Sequence, residues 1–237
     1  MNVAEDSGNT ASLLEVVVVL DRSGSMDAIR SSTIAAFNGI IDKQLKDKDP
    51  DTTWLSFFLF NDTVDLVWGG IPLPRVEKLS YRTYEPHGYT ALLDALGVAI
   101  TSIDQGLRAG CPACSTETPC NDRDILVITL SDGMENRSRR YGFARIGEMI
   151  RQKIAQDWEF LWLGPDRRSE EYAIRLGIPA ENVDIFPVTD EGIRDSCNKI
   201  SDAVSRKKRF NSTKGWKGEE TAPGISGTQH TRTGHMP

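Results

Sequence analysis

Three short polar clusters in the sequence contain residues that could bind a metal ion. Asp21, Ser23 and Ser25 alternate within the segment DRSGS, Thr90 lies in the segment GYT, and Asp132 lies in the segment SDG. Together these residues offer two carboxylates and three hydroxyls. A set made only of oxygen atoms favours a hard cation, Mg²⁺ first and Mn²⁺ or Ca²⁺ as alternatives, and does not suit zinc.

Each cluster taken alone also has an ordinary explanation. Asp, Ser and Thr cap the N-termini of helices, and Asp-Gly is a common turn. The argument for a metal site therefore depends on whether the fold brings all three clusters to one place.

Six segments rich in apolar residues are predicted as strands: 13–20, 53–60, 64–68, 125–130, 160–163 and 183–188. Five segments with apolar residues at spacings of three and four are predicted as helices: 34–45, 91–107, 143–154, 170–176 and 193–204. The nearly continuous apolar strands indicate burial on both faces, as in a parallel sheet.

This order of elements predicts an α/β fold of the Rossmann-like kind. The sheet is expected to be open, doubly wound and mostly parallel, with helices on both faces and one antiparallel edge strand from the hairpin 53–68. In such sheets ligands bind at the carboxyl ends of the strands, where all three polar clusters are expected. We predict one domain over 13–205, a flexible N-terminus over 1–12, and a basic, disordered tail over 206–237.

The charge distribution argues against nucleic acid as a partner. The chain carries a net charge of −6, and the tail from Arg206 onward carries +5, which leaves −11 on the rest. The acidic part of the chain before Arg206 lacks the clustered Lys and Arg residues that bind phosphates. Its negative charge instead favours the binding of cations.

The sequence also predicts a cytoplasmic protein without a membrane span. No apolar run approaches the roughly 20 residues of a membrane helix. The first 12 residues lack the basic start and the apolar stretch of a signal peptide.

The segment DRSGS follows a buried strand and has the form Asp-x-Ser-x-Ser. With Thr90 and Asp132 in the same order and at similar separations, it resembles the metal-ion-dependent adhesion site of the von Willebrand factor type A (VWA) domain family. The resemblance covers residues 15–204. The segments LDRSGSM, GYTALLDAL and SDGMENRS are similar to small stand-alone bacterial or phage members, which are intracellular.

The resemblance implies a ligand set and a function. Ser23, Ser25 and Thr90 would bind the ion directly, while Asp21 and Asp132 would hold it directly or through water. The implied protein is a binding module without enzymatic activity, in which the bound cation engages an Asp or Glu of a partner protein. No oligomeric state follows from it, and in this family the last helix can move when the site is filled.

Four residues near these clusters in sequence are expected to be exposed contacts for the partner: Met26, Tyr89, Met134 and Glu135.

Two other kinds of site stay open as alternatives. An aspartate-dependent phosphatase uses a second acid two residues after its nucleophile, but that position holds Ser23, which is a poor proton donor near neutral pH. A zinc site could form from Cys111, Cys114 and Cys120 with Cys197 or His87 as the fourth ligand. The simpler interpretation of these cysteines is reduced thiols in a loop.

Overall fold

The computed structural model describes residues 13–46, 52–106, 123–131, 135–185 and 189–214. Its centre is a six-stranded sheet in the order β3-β2-β1-β4-β5-β6. The strands are β1 (Leu13–Asp21), β2 (Thr53–Phe60), β3 (Val64–Pro72), β4 (Arg123–Leu130), β5 (Glu159–Gly164) and β6 (Val183–Ile185). The helices are α1 (Arg30–Leu45), α2 (Leu92–Asp104), α3 (Phe143–Ile154), α4 (Arg167–Arg175) and α5 (Asp190–Lys214).

Neighbouring strands run parallel except for β3, which pairs antiparallel with β2 at one edge. The predicted α/β class and the antiparallel edge strand are therefore confirmed. The ends of the three central strands are level, because Asp21 pairs with Phe60 and Leu20 pairs with Leu130. The loops that follow these strands consequently leave the sheet at one carboxyl edge.

The sheet is buried on both faces, as the apolar runs predicted. Phe57 and Phe58 are consecutive residues of β2, both have no exposed surface, and they belong to two different core clusters. The cluster of Phe57 includes Phe37 of α1 and Ile200 of α5. The cluster of Phe58 includes residues of α2, α3 and α4, among them Leu96. Alternate side chains of a strand point to opposite faces, so both faces need a helical layer.

β3 continues past Trp68, where the strand was predicted to end, through Gly69 and Gly70 to Pro72. Gly70 adopts a φ of +57°, and its N–H donates a 2.8 Å hydrogen bond to the hydroxyl of Ser56. The register between β2 and β3 shifts between Leu55 and Phe58. A β-bulge of this kind lets the strand include Gly69 and Gly70 and still pair with β2 beyond them.

α5 continues past residue 205, where the sequence placed the end of the domain. Lys207 lies 3.6 Å from the carboxylate of Glu159 and donates a 3.2 Å hydrogen bond to the carbonyl of Asp157. These contacts tie the basic residues at the start of the predicted tail to the start of β5, and the described part of the helix runs to Lys214.

Several predictions concern residues outside the described ranges. They include the flexible N-terminus over 1–12, the tail beyond 214, and a zinc site at Cys111, Cys114 and Cys120. Among the described helices, none is long and apolar enough to cross a membrane.

Candidate metal centre

The segment after β1 turns sharply at the carboxyl edge of the sheet. Asp21 ends the strand with no exposed surface, and its Oδ1 accepts a 2.7 Å hydrogen bond from the backbone N–H of Ser23. A short 3₁₀ helix, Gly24–Ile29, follows. The hydroxyl oxygens of Ser23 and Ser25 lie 3.2 Å apart. The turn therefore brings the three residues of the first polar cluster together.

The segment that carries Thr90 packs directly against this turn. The N–H of His87 donates to the carbonyl of Arg22 at 2.8 Å, and the N–H of Gly24 donates to the carbonyl of Gly88 at 3.1 Å. Thr90 is 3% exposed and lies just before α2. Backbone hydrogen bonds thus fasten the second polar cluster to the first.

Gly88 is required by the geometry of this contact. Its φ is +79°, and a Cβ atom at this position would lie 2.1 Å from Oδ2 of Asp62. The same carboxylate oxygen accepts a 3.0 Å hydrogen bond from the N–H of Tyr89. Glycine therefore allows the close approach that sets the path of the chain into Thr90.

Tyr84 stabilises the turn through a hydrogen bond to Asp21, a role that the sequence did not indicate. Its side chain is fully buried, and its hydroxyl donates a 2.7 Å hydrogen bond to the carbonyl of Asp21. The carbonyl of Tyr84 in turn accepts a 2.8 Å hydrogen bond from Nε of Arg30. No periodicity marked this residue, because it lies in an irregular segment.

Ser131 is the described member of the third cluster. Its hydroxyl donates a 2.5 Å hydrogen bond to Oδ2 of Asp21, and its N–H donates to the carbonyl of Leu163 at 3.2 Å. The sequence interpretation assigned the next residue, Asp132, as a ligand and gave Ser131 no role. Asp132 lies outside the described residues.

The chain after the third cluster is clasped onto Thr90. The N–H of Thr90 donates to Oδ1 of Asn136 at 2.9 Å, and the N–H of Asn136 donates to the carbonyl of Thr90 at 3.1 Å. The carboxylate of Glu135 accepts a 2.9 Å hydrogen bond from the N–H of Leu93 in the first turn of α2. A negative charge at a helix N-terminus stabilises the helix, so Glu135 has a structural task that the sequence did not reveal.

The expected partner contacts fare differently. Met26 has no exposed surface, so its predicted exposure is wrong: its side chain packs into the core beside α1. Tyr89 is 60% exposed, as predicted. Glu135 is only half-buried, and its carboxylate is bonded to the N–H of Leu93. Met134 lies outside the described residues.

The spacing of the Ser23 and Ser25 hydroxyls is compatible with a hard cation. Two ligands at right angles on Mg²⁺ would lie about 2.9 Å apart and on Ca²⁺ about 3.4 Å apart, given their usual bond lengths. The 3.2 Å between the hydroxyls of Ser23 and Ser25 falls in this interval. Among the described residues, no group of three or more His, Cys, Asp or Glu side chains could hold a metal ion. The fit therefore depends on hydroxyl oxygens together with Asp21.

Solved structures similar to this chain include VWA-type proteins. The vWF domain of a type V pilus tip protein from Porphyromonas gingivalis aligns with a TM-score of 0.62 at 11% identity, over 89% of this chain and 99% of that one. The pilus adhesin SpaC from Lactobacillus rhamnosus GG aligns with a TM-score of 0.63 at 9% identity, over 84% of this chain and 30% of that one.

A third similar structure is described as holding zinc in a metal-ion-dependent adhesion site (MIDAS). Proximal thread matrix protein 1 from the mussel byssus, "with zinc occupied MIDAS motif", aligns with a TM-score of 0.56 at 15% identity, over 82% of this chain and 46% of that one. The chain also spans 63% of the PilB minor pilin from Streptococcus sanguinis, so it matches only part of several neighbours. No protein-family model matches the chain, and no curated protein sequence matches it.

These likenesses establish the fold and confirm that part of the sequence resemblance. The chain has a VWA-like α/β fold, with a mixed six-stranded sheet between two helical layers. The neighbours are named as pilus and byssus proteins, which lends no support to the stand-alone bacterial or phage type or to a cytoplasmic location. Both of those stay predictions from sequence.

Proposed function

We propose that this chain is a metal-ion-dependent protein-binding module of the VWA family. A divalent cation would be held by Asp21, Ser23, Ser25, Thr90 and Asp132, and it would engage an Asp or Glu of a partner protein. The observation that carries this proposal is the pair of hydroxyls of Ser23 and Ser25, 3.2 Å apart beside the buried carboxylate of Asp21. The adhesion and matrix proteins among the neighbours support it.

A bound cation would supply positive charge and a coordination position for a carboxylate oxygen. The attraction between unit charges 4 Å apart is about 4 kcal/mol at an intermediate dielectric. Desolvation of both groups offsets part of this gain. The contact would therefore orient the partner and make binding sensitive to chelators, while the surrounding surface supplies further affinity.

The residues of this chain would hold the site in shape. Asp21 supplies a buried carboxylate whose two oxygens accept hydrogen bonds from the N–H of Ser23 and the hydroxyl of Ser131. A carboxylate can accept several hydrogen bonds, and it can also bind an ion or an ion-bound water. Thr90 is fixed in position by Asn136.

A phosphatase-like enzyme is the alternative from another class, and we favour a binding module over it. The position where the general acid would be needed holds Ser23, which is 2% exposed. Asp21, which would act as the nucleophile, has no exposed surface. Turnover of p-nitrophenyl phosphate in Mg²⁺ that Asp21→Asn abolishes would reverse this preference.

Calorimetric titration of the metal-free chain tests the ion site. Mg²⁺, Mn²⁺, Ca²⁺ and Zn²⁺ should each be titrated, because the mussel neighbour holds zinc in its motif. We expect binding by the wild type and its loss in Asp21→Ala and in Asp132→Ala. Asp42→Ala is the matched control, because Asp42 pairs with Lys78 on the surface. Equal binding by Asp132→Ala and wild type would contradict the ligand set.

Capture of partners tests the binding role. We expect wild-type chain on a resin to retain a protein in Mg²⁺ and release it in EDTA. The Asp21→Ala chain should retain none of it, whereas Asp42→Ala should behave as wild type. Retention that survives EDTA would indicate a scaffold whose affinity does not depend on the ion.

A further inference from the structure

Three arginines lie in the segment that follows the third polar cluster. Arg137, Arg139 and Arg140 are all exposed, and we call them the arginine rim. They follow Asn136, whose side chain and backbone both bond to the backbone of Thr90. The rim therefore adjoins a proposed ligand.

The backbone of this loop is fixed by Asp94, in the first turn of α2. Its carboxylate accepts 2.9 Å hydrogen bonds from the N–H groups of Arg139, Arg140 and Tyr141. Glu135 likewise accepts from the N–H of Arg137 at 2.7 Å. The backbone N–H groups of the rim are hydrogen-bonded to these two carboxylates, and the arginine side chains are exposed.

The guanidinium groups of the rim differ in their partners. Arg137 lies 3.3 Å from a carboxylate oxygen of Asp62, and its Cζ lies 5.4 Å from the centre of the Tyr89 ring. The Cζ of Arg140 lies 5.8 Å from the centre of the Tyr141 ring. Within the described ranges, no carboxylate side chain forms an ion pair with Arg139 or Arg140.

Positive charges beside a cation site oppose cation binding, if only weakly in water. The same charges favour an anionic ligand that covers both the ion and the rim. We infer that the partner segment is multiply acidic, with one carboxylate on the ion and further carboxylates on Arg139 and Arg140. This inference rests on the proposed function and specifies the class of partner.

Protein carboxylates are favoured over nucleic-acid phosphates as the occupant. The chain outside its C-terminal tail carries a net charge of −11, which repels a long polyanion away from the rim. A short acidic segment of a protein needs only the local positive surface. Tyr89, which is 60% exposed and lies beside Arg137, adds an aromatic surface for the apolar parts of such a segment.

Fluorescence anisotropy with two dye-labelled peptides of equal length tests the inference. One carries several glutamates separated by Gly and Ser, and the other carries a single glutamate. We expect wild-type chain in Mg²⁺ to bind the multiply acidic peptide more tightly by about fivefold to tenfold, the scale of two exposed ion pairs. Arg139→Ala/Arg140→Ala should reduce this preference to less than about twofold, and added salt should weaken it in the wild type.

The matched control is Lys46→Ala/Arg75→Ala, which removes the same charge at the opposite edge of the sheet. Both residues are exposed there: Lys46 follows α1, and Arg75 follows the end of β3. The control should keep the wild-type preference, and thermal unfolding should show that all the chains are folded. An equal loss in the control, no preference in the wild type, or tighter binding of a single-stranded oligonucleotide would each overturn the inference.

EDTA and Asp21→Ala separate the two proposals. If they abolish binding of both peptides while the arginine variant keeps the wild-type preference, the proposed function stands and the rim inference fails. If binding resists EDTA but still depends on Arg139 and Arg140, the acidic-segment surface is supported and the proposed role of the ion fails.

Discussion

The hydroxyl of Ser131 donates a 2.5 Å hydrogen bond to Oδ2 of Asp21, and both side chains are completely buried. This bond joins the end of β4 to the end of β1 at the carboxyl edge of the sheet. It fixes the carboxylate around which the candidate metal centre is built. Partners that orient a ligand commonly matter nearly as much as the ligand itself.

Ser131→Ala should weaken both metal binding and folding. Loss of a donor to a buried carboxylate costs about 1–3 kcal/mol of unfolding free energy. Loss of an orienting partner should lower metal affinity by roughly tenfold or more. Denaturant unfolding and calorimetric titration measure the two effects.

A matched serine lies in the middle of β2, away from the carboxyl edge of the sheet. Ser56 donates a 2.6 Å hydrogen bond to the buried carboxylate of Glu15. Ser56→Ala should cost similar stability and leave metal affinity unchanged. Equal losses of metal affinity in the two variants would mean that Ser131 acts through general stability alone.

Tyr84→Phe should reduce metal affinity severalfold with a small loss of stability. The substitution removes only the hydroxyl that bonds to the carbonyl of Asp21, worth about 1 kcal/mol. Tyr141→Phe is the control, because the hydroxyl of Tyr141 makes a longer, 3.3 Å contact with the hydroxyl of Thr101 in α2. Metal affinity measured by titration should be unchanged in the control. An unchanged metal affinity in Tyr84→Phe would show that the turn keeps its shape without this hydrogen bond.

Gly88→Ala should destabilise the chain and disturb the Thr90 segment. A left-handed conformation costs a non-glycine residue about 1–2 kcal/mol. The new Cβ would also displace Asp62, whose Oδ2 lies 2.1 Å from that position. We expect lower unfolding free energy together with weaker metal binding.

Gly39→Ala provides the comparison for this glycine. A Cβ there meets nothing within 4 Å, and the position lies inside α1. It should raise stability by about 0.5–1 kcal/mol and leave metal binding unchanged, since alanine favours the helix. A stable, metal-binding Gly88→Ala would show that the Thr90 segment tolerates another path.

Asp94→Ala should loosen the loop of the arginine rim. The three backbone N–H groups that its carboxylate accepts would lose their partner. Hydrogen exchange should then become faster at residues 139–141, while the core strands keep their protection. Asp42→Ala, on α1, should leave exchange at 139–141 unchanged. Slow exchange there in Asp94→Ala would mean that Glu135 and Asn136 are sufficient to hold the loop.

The sequence alone determined the strands, the helices and the class of sheet. Apolar runs and helical spacings are local patterns, so β2 and α3 could be predicted over their full lengths and β1 and β4 nearly so. The alternation of Ser23 and Ser25 within DRSGS is also a local pattern, and their hydroxyls lie 3.2 Å apart in the structure. Met26 was misjudged, since its burial depends on how the short helix Gly24–Ile29 packs on the core.

The tertiary structure alone decided what supports the site. Ser131 is 110 residues from Asp21, Tyr84 is 63 residues from it, and Glu135 is 42 residues from the N–H of Leu93 that it binds. A hydroxyl or carboxylate looks the same in sequence whatever its partner is. Its task is set by which distant backbone or carboxylate the fold brings within about 3 Å, and no local pattern encodes that meeting.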